Sequence, residues 1–319
     1  MSVFANIIAS ASYVPEKIIS NDDLSKILDT SDEWIFQRTG IKNRHISTGE
    51  NTSDLAIEVA KKLLAESGLS ASELDFIIVA SMSADYQSPS LACQVQGAIK
   101  ADQAFATDVS AACSGFVYAL ALANRLILKE DSKGMVIASD VMSKVVDWSD
   151  RSTAVLFGDG AGGVILSSDS KEHFLVSNLY AQGDKAESLL SGYSPVENPW
   201  VESSLVNDKL SMDGRDIFNF VTNQVSASLK DLKDDYDIDY YLLHQANARI
   251  LDHVAKKIKE PRNKFIQNIE NYGNTSSASI AILLDEAIKN KTLKLASNQT
   301  ILLSGFGGGL SYGNILIKL

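Results

Sequence analysis

The chain has 319 residues, with 29 Lys and Arg against 40 Asp and Glu, for a net charge of −11. An acidic body repels nucleic acid and anionic bilayers, so neither is expected as a partner, and no apolar run approaches the ~20 residues that span a membrane. Two cysteines, Cys93 and Cys113, and four histidines cannot build a disulfide framework or a four-cysteine metal site.

About two domains' worth of chain is present. The start, MSVFANIIASASYVP, lacks a basic residue ahead of its apolar run, which argues against a secretory signal. A reducing, cytoplasmic compartment is expected.

Apolar, β-branched runs at 76–80, 135–138, 163–166, 240–243, 300–303 and 314–317 read as buried strands, and 105–109 reads as a strand. Residues 115–126 are apolar almost all round and read as a buried helix. In 217–232 and 250–258 the apolar residues fall on one helical face. Strands alternating with helices predict mainly parallel sheets in an α/β body. LAIEVAKKLLAESGLSASELDFIIVASMS and VSASLKDLKDDYDIDYYLLHQAN share one order of elements. FGDGAGGVILSS and FGGGLSYGNILIKL each pair a glycine turn with a strand. Both echoes suggest a duplicated unit, with halves at 1–169 and 170–319.

Cys113 falls between the strand at 105–109 and the helix at 115–126. Free N–H groups and the positive end of the helix dipole favour a thiolate there. Small neighbours, Ala111, Ala112, Ser114 and Gly115, let a substrate approach. Cys93 reads as a small buried hydrophobe. His244 follows the strand at 240–243, at a strand end where α/β folds place chemistry; His45, His173 and His253 read as solvated. Asn274 precedes an apolar helix, either as an N-cap or as an amide donor to an oxyanion. The loop SGFGGGLSYG lets a backbone N–H face a substrate carbonyl, and it lacks the Lys-Ser/Thr of a phosphate loop. GDGAGG at 158–163 reads as a tight turn into a buried strand. Two basic clusters stand out. Arg249, Lys256 and Lys257 lie beside His244, placed to steer an acidic partner. Arg38, Lys42 and Arg44 accompany Trp34, as suits a nucleotide base with its phosphates.

TSDEWI and RTGI (30–41), AACSGF (111–116), DRST and FGDGAG (150–162), HQANARI (244–250), YGNTSSAS (272–279) and FGGG (306–309) together resemble β-ketoacyl-acyl-carrier-protein synthase III, over essentially the whole chain. That resemblance implies the thiolase fold, two related halves in a five-layered αβαβα body, as a homodimer. It implies condensation of an acyl-coenzyme A, acetyl foremost, with malonyl-acyl carrier protein through an acyl-cysteine, with no cofactor beyond the thioester substrate. A related enzyme of a specialised pathway with another acceptor is the alternative. Cys113, His244 and Asn274 would be catalytic, and the N–H groups of Cys113 and Gly308 the oxyanion hole. Thr30, Trp34, Arg38, Arg151 and Asn247 would contact coenzyme A. Ser88 and Phe306 would line the acyl pocket, Ser88 standing where relatives carry an aromatic. Arg249, Lys256, Lys257 and Arg215 would dock the carrier protein, Asn219 replacing an expected basic residue.

Overall fold

The β-branched runs form two mixed sheets in the computed structural model, which describes residues 3–201 and 208–319. The first sheet contains β1 (Phe4–Tyr13), β2 (Phe76–Ala80), β3 (Phe105–Val109), β4 (Lys133–Asp140) and β5 (Gly160–Asp169), in the order β1-β5-β4-β2-β3. The second contains β6 (Phe174–Ala181), β7 (Tyr240–Leu243), β8 (Thr300–Gly307) and β9 (Ser311–Lys318), in the order β7-β8-β9-β6. Only the β2–β4, β2–β3 and β7–β8 pairs are parallel. The expectation of mainly parallel sheets is therefore corrected. β8 returns directly as β9 through the glycine turn, with no crossover helix. β4 reaches β5 through residues 141–159, which hold a 3-10 turn (Met142–Lys144) and a one-turn helix (Arg151–Ala154) but no long crossover helix, and both pairs run antiparallel. β1 and β6 escaped the sequence reading, because FANIIASASY and FLVSNLYA interleave small and polar residues with apolar ones.

Eight helices matter here: α1 (Asp32–Thr39), α2 (Thr52–Ser67), α3 (Leu91–Ile99), α4 (Gly115–Leu126), α5 (Gly214–Phe220), α6 (Ser226–Asp235), α7 (Ala248–Ile258) and α8 (Ser279–Lys289). α2 and α3 cover the outer face of the first sheet, and α6 and α7 that of the second. α4 and α8 lie between the sheets and touch strands of both. Layers alternate αβαβα. Sheets on two sides explain why α4 and α8 are apolar almost all round. Each Leu, Ile or Phe fully buried there contributes ~2 kcal/mol, so the middle layer is the main adhesive between the sheets.

The single helix expected over 217–232 is broken by a π-helical turn, Val221–Val225. The Thr222 hydroxyl bonds back to the Phe218 carbonyl (2.8 Å) and that of Ser226 to the Val221 carbonyl (3.2 Å). The Lys257 ammonium donates to the Thr222 carbonyl. Widened turns of this kind persist where freed carbonyls find such partners. Cys93 is exposed rather than buried. The buried stripe of α3 is Leu91, Ala92 and Val95, and position 93 falls outside it. No helix among the described residues is long and apolar enough to cross a membrane.

Candidate active site

Cys113 sits in one 3-10 turn, Ala112–Ser114, between β3 and α4. Ala112 adopts φ +44°, a conformation costing a non-glycine residue ~1 kcal/mol or more. The glycine loop after β8 packs on this turn. A Cβ on Gly307 would stand 2.8 Å from the Cys113 Cβ and 2.9 Å from its nitrogen, and one on Gly308 3.3 Å from the Ala112 Cβ. Among the described residues nothing accepts from the Gly308 N–H, which leaves it available to a ligand. A cavity of about 290 Å³ borders the turn, lined by Met82, Ala111, Ala112, Leu189, Ser191 and Gly308.

The Cys113 thiol is buried and donates to the Ser276 hydroxyl at 3.7 Å. Burial pushes it up to about 12, against the opposing pull of Ser276. The start of α4 favours the anion, but dehydration outweighs it. The resting group is thus a thiol, where the sequence suggested a thiolate.

His244 follows β7, and its N–H bonds the Ser304 carbonyl at 2.9 Å. Its Nδ1 lies 2.6 Å from the Ser279 hydroxyl, which also accepts from the Gln245 N–H at 3.3 Å. Ser279 has no other acceptor among the described residues, so its proton goes to Nδ1 and the ring carries its own on Nε2. Burial pushes the imidazole down to about 3. His244 is therefore a neutral donor. Phe306 meets it edge-on, with ring centroids 5.2 Å apart.

Asn274 follows Gly273, whose φ of +63° favours glycine; a Cβ there would also come 2.8 Å from the Leu156 carbonyl oxygen. Its backbone is bonded on both sides to 156–158. Its Oδ1 accepts the Ser276 N–H at 2.9 Å. The N-cap alternative is not met: Ala278 is the N-cap of α8 and Thr275 that of the 3-10 turn before it. The Asn274 amide oxygen instead closes a local turn to Ser276, and among the described residues its NH2 meets no acceptor. Cys113 is thus joined to Asn274 through Ser276, and His244 is held by Ser279. Both serines belong to the 274–279 stretch leading into α8. Their roles were missed in the sequence, where the only signal was the run of hydroxyl residues TSSAS.

The expected nucleotide face is formed around Trp34. The guanidinium carbons of Arg38 and Arg151 lie 4.5 and 4.8 Å from its ring centroid. Arg151 also donates to the Asp29 carbonyl at 2.6 Å. The Thr30 hydroxyl oxygen is buried without a partner. Asn247 is committed at both ends, its Oδ1 capping α7 at the Arg249 N–H (2.9 Å) and its Nδ2 donating to the Arg38 carbonyl (2.9 Å). Arg44 is not part of that basic face. It is fully buried, donates to the Val155 carbonyl at 2.9 Å, and is pushed down to about 10 by desolvation. Lys42 pairs with Glu270.

Ser88 is exposed in the loop before α3 and does not line the cavity beside Cys113. That loop is held at the sheet edge, where Asp108 of β3 takes the Leu91 and Ala92 N–H groups at 2.7 Å. Arg215, Arg249 and Lys256 are exposed and form no ion pair among the described residues. Lys257 is not free, because it binds the Thr222 carbonyl and Asn223 Oδ1. Of the histidines expected to be solvated, only His253 is exposed. His45 bonds the Pro15 carbonyl, and His173 the Asp169 carboxylate and the Lys318 carbonyl.

A buried cysteine at the start of one inner helix, a carboxamide at the lead-in to the other and an imidazole at the end of β7 held by that second helix's Ser279 are the arrangement of a condensing enzyme of the thiolase fold. Family models described as 3-oxoacyl-[acyl-carrier-protein] synthase III and its C-terminal part match residues 107–183 and 231–319. The chain is 54% identical to the β-ketoacyl-[acyl-carrier-protein] synthase III of Streptococcus equi subsp. zooepidemicus, covering 99% of this chain and 100% of that one. The crystal structure of 3-oxoacyl-[acyl-carrier-protein] synthase III from Aquifex aeolicus superposes with a TM-score of 0.90 at 38% identity, over 99% and 100% of the two chains. The priming β-ketosynthase of the R1128 polyketide pathway superposes equally well (TM-score 0.90, 99% and 96% coverage) but at 29% identity. This chain belongs to the β-ketoacyl-[acyl-carrier-protein] synthase III family.

Proposed function

We propose that this chain performs the initiating condensation of fatty acid synthesis. An acyl-coenzyme A starter, acetyl foremost, and malonyl-acyl carrier protein yield 3-oxoacyl-acyl carrier protein, coenzyme A and CO2. The observation that carries this is the pair of neutral donors, His244 Nε2–H and Asn274 Nδ2, beside a buried cysteine. A hydrolase would want a base and water at that point; a decarboxylating condensation wants donors for an enolate oxygen.

In the first step the Cys113 sulfur attacks the thioester, the Cys113 and Gly308 N–H groups bind the oxyanion, and the thiol proton leaves on the coenzyme A sulfur. In the second, His244 and Asn274 hold the malonyl thioester oxygen. Loss of CO2 leaves an enolate whose carbon attacks the acyl-cysteine, and the sulfur departs as a thiolate that takes a proton from solvent to restore the thiol. Trp34, Arg38, Arg151, Thr30 and Asn247 would receive coenzyme A. Phe306 would bound the acyl chain, with Ser88 offered from its exposed loop. The free cations Arg215, Arg249 and Lys256 suit an acidic carrier protein, Lys257 supporting them from behind.

We further propose a cytoplasmic homodimer of chains built from halves at 1–169 and 170–319. The exposed edge strand β3, with Phe105 52% exposed, and the loop before α3, with Tyr86 61% exposed, support a second copy there, because open sheet edges are normally covered.

Intact-protein mass spectrometry against a panel of acyl-coenzyme A esters tests the first step: one acyl adduct is expected, absent in Cys113→Ala. Asn274→Ala is expected to lose ~10²-fold in condensation while keeping acylation within ~10-fold. Equal loss of both partial reactions, or release of free acid without a condensed product, would overturn the assignment.

A further inference from the structure

Asp140 ends β4, the central strand of the first sheet, and has no accessible surface. Among the described residues no cation pairs with it. Lys144, the nearest basic residue along the chain, is bound to Asp85 (2.7 Å) and to the Thr52 hydroxyl (2.9 Å). A buried, unpaired carboxylate costs several kcal/mol unless donors surround it. Here six do, and they divide unevenly. Oδ1 takes the Ser81 hydroxyl (3.0 Å), the Met82 N–H (2.9 Å), and the Ser83 N–H and hydroxyl (3.1 and 2.8 Å), all at the end of β2. Oδ2 takes only the Ser277 N–H (3.0 Å) and hydroxyl (2.6 Å). One oxygen thus serves its own sheet, and the other reaches across the seam to the stretch that carries Asn274 and Ser276. Ser277 is packed tightly beneath the nucleophile, its Cβ 3.2 Å from where a Cβ on Gly115 would stand.

We propose that Asp140 is a positioning residue for the condensation step: its second carboxylate oxygen holds Ser277, and through it the 274–276 turn, against the thiol, while its unneutralised charge acts on the sulfur. After burial, the Asp140 charge is a further influence holding the Cys113 thiol up. The proposal rests on the role given above to Asn274.

Asp140→Asn keeps the side-chain shape and the four bonds to Oδ1 but turns an NH2 towards the two Ser277 donors. Condensation kcat is expected to fall ~10-fold or more, with KM for acyl-coenzyme A within ~3-fold. Iodoacetamide should meanwhile modify Cys113 faster at fixed pH, with its profile moved to lower pH. Exposed Cys93 provides the internal reference, and thermal melting reports the fold. Ser277→Ala removes part of the link but keeps the charge, so kcat should fall while the Cys113 alkylation profile stays that of the parent. Parent-like kcat in folded Asp140→Asn, or an equal alkylation shift in Ser277→Ala, would overturn the proposal. Absence of condensed product from the parent protein would defeat the functional reading instead, and the alkylation comparison would still judge Asp140.

Discussion

Burial moves Cys113 and His244 in opposite directions, the thiol up to about 12 and the imidazole down to about 3, and leaves both uncharged at neutral pH. The bond from Cys113 to Ser276 and that from Ser279 to His244 then decide where the protons point, and a neutral donor needs no counter-ion inside the protein. The same shift has a thermodynamic signature. The unfolded chain binds the His244 proton near pH 6.5, whereas the folded chain resists it until about 3. Stability from this group is therefore complete above pH ~6.5 and drains as pH falls towards 3, at up to ~1.4 kcal/mol per pH unit. Melting temperature measured from pH 7 to 4 should fall more steeply for the parent than for His244→Gln. Parallel curves would contradict a neutral buried imidazole.

Elements explain why those residues meet. The Cys113 turn is pressed from behind by the end of β8 and the loop after it, and Gly307, the last residue of β8, makes that approach possible, since any side chain there would share space with the Cys113 Cβ and nitrogen. Gly307→Ala is expected to cost ~1–3 kcal/mol as an overpacking change and to impair acylation and condensation together. Thermal melting and the two partial reactions check this, and an unchanged acylation rate would show that the turn tolerates displacement. Strands and helices of uniform apolar character were legible in the sequence, including 76–80, 115–126 and 240–243, and the strand at 105–109 was legible despite its polar residues. So was Cys113, placed at a strand-to-helix turn. Ser276, Ser277, Ser279 and Asp140 were not legible as a group. A serine carries no periodic or motif signal, and the Asp140–Ser277 link joins positions 137 apart in sequence, so it exists only once two sheets have met. Cys93 and Lys257 misled for a related reason: residue type suggested a buried thiol and a free cation, and helix phase and the π-turn decided otherwise.

At the scale of the molecule, charge is unevenly spread. The chain carries −11, yet Arg249 and Lys256 on the helix after His244, and Arg215 on α5, have no ion pair among the described residues. Rim cations of this sort act mainly through salt-sensitive encounter. Arg249→Ala should raise KM for the malonyl-carrier protein and flatten its dependence on ionic strength. Lys257→Met, whose ammonium is occupied by the π-turn, should alter that dependence far less while lowering thermal stability. Initial rates from 20 to 300 mM salt separate the two, and equal flattening would return Lys257 to the docking face. The middle layer has one more consequence. Sulfur arrives with one inner helix and carboxamide with the other, so what glues the repeats together also arms the chemistry. Prying that boundary apart by even a small slip would silence the protein with both sheets still intact.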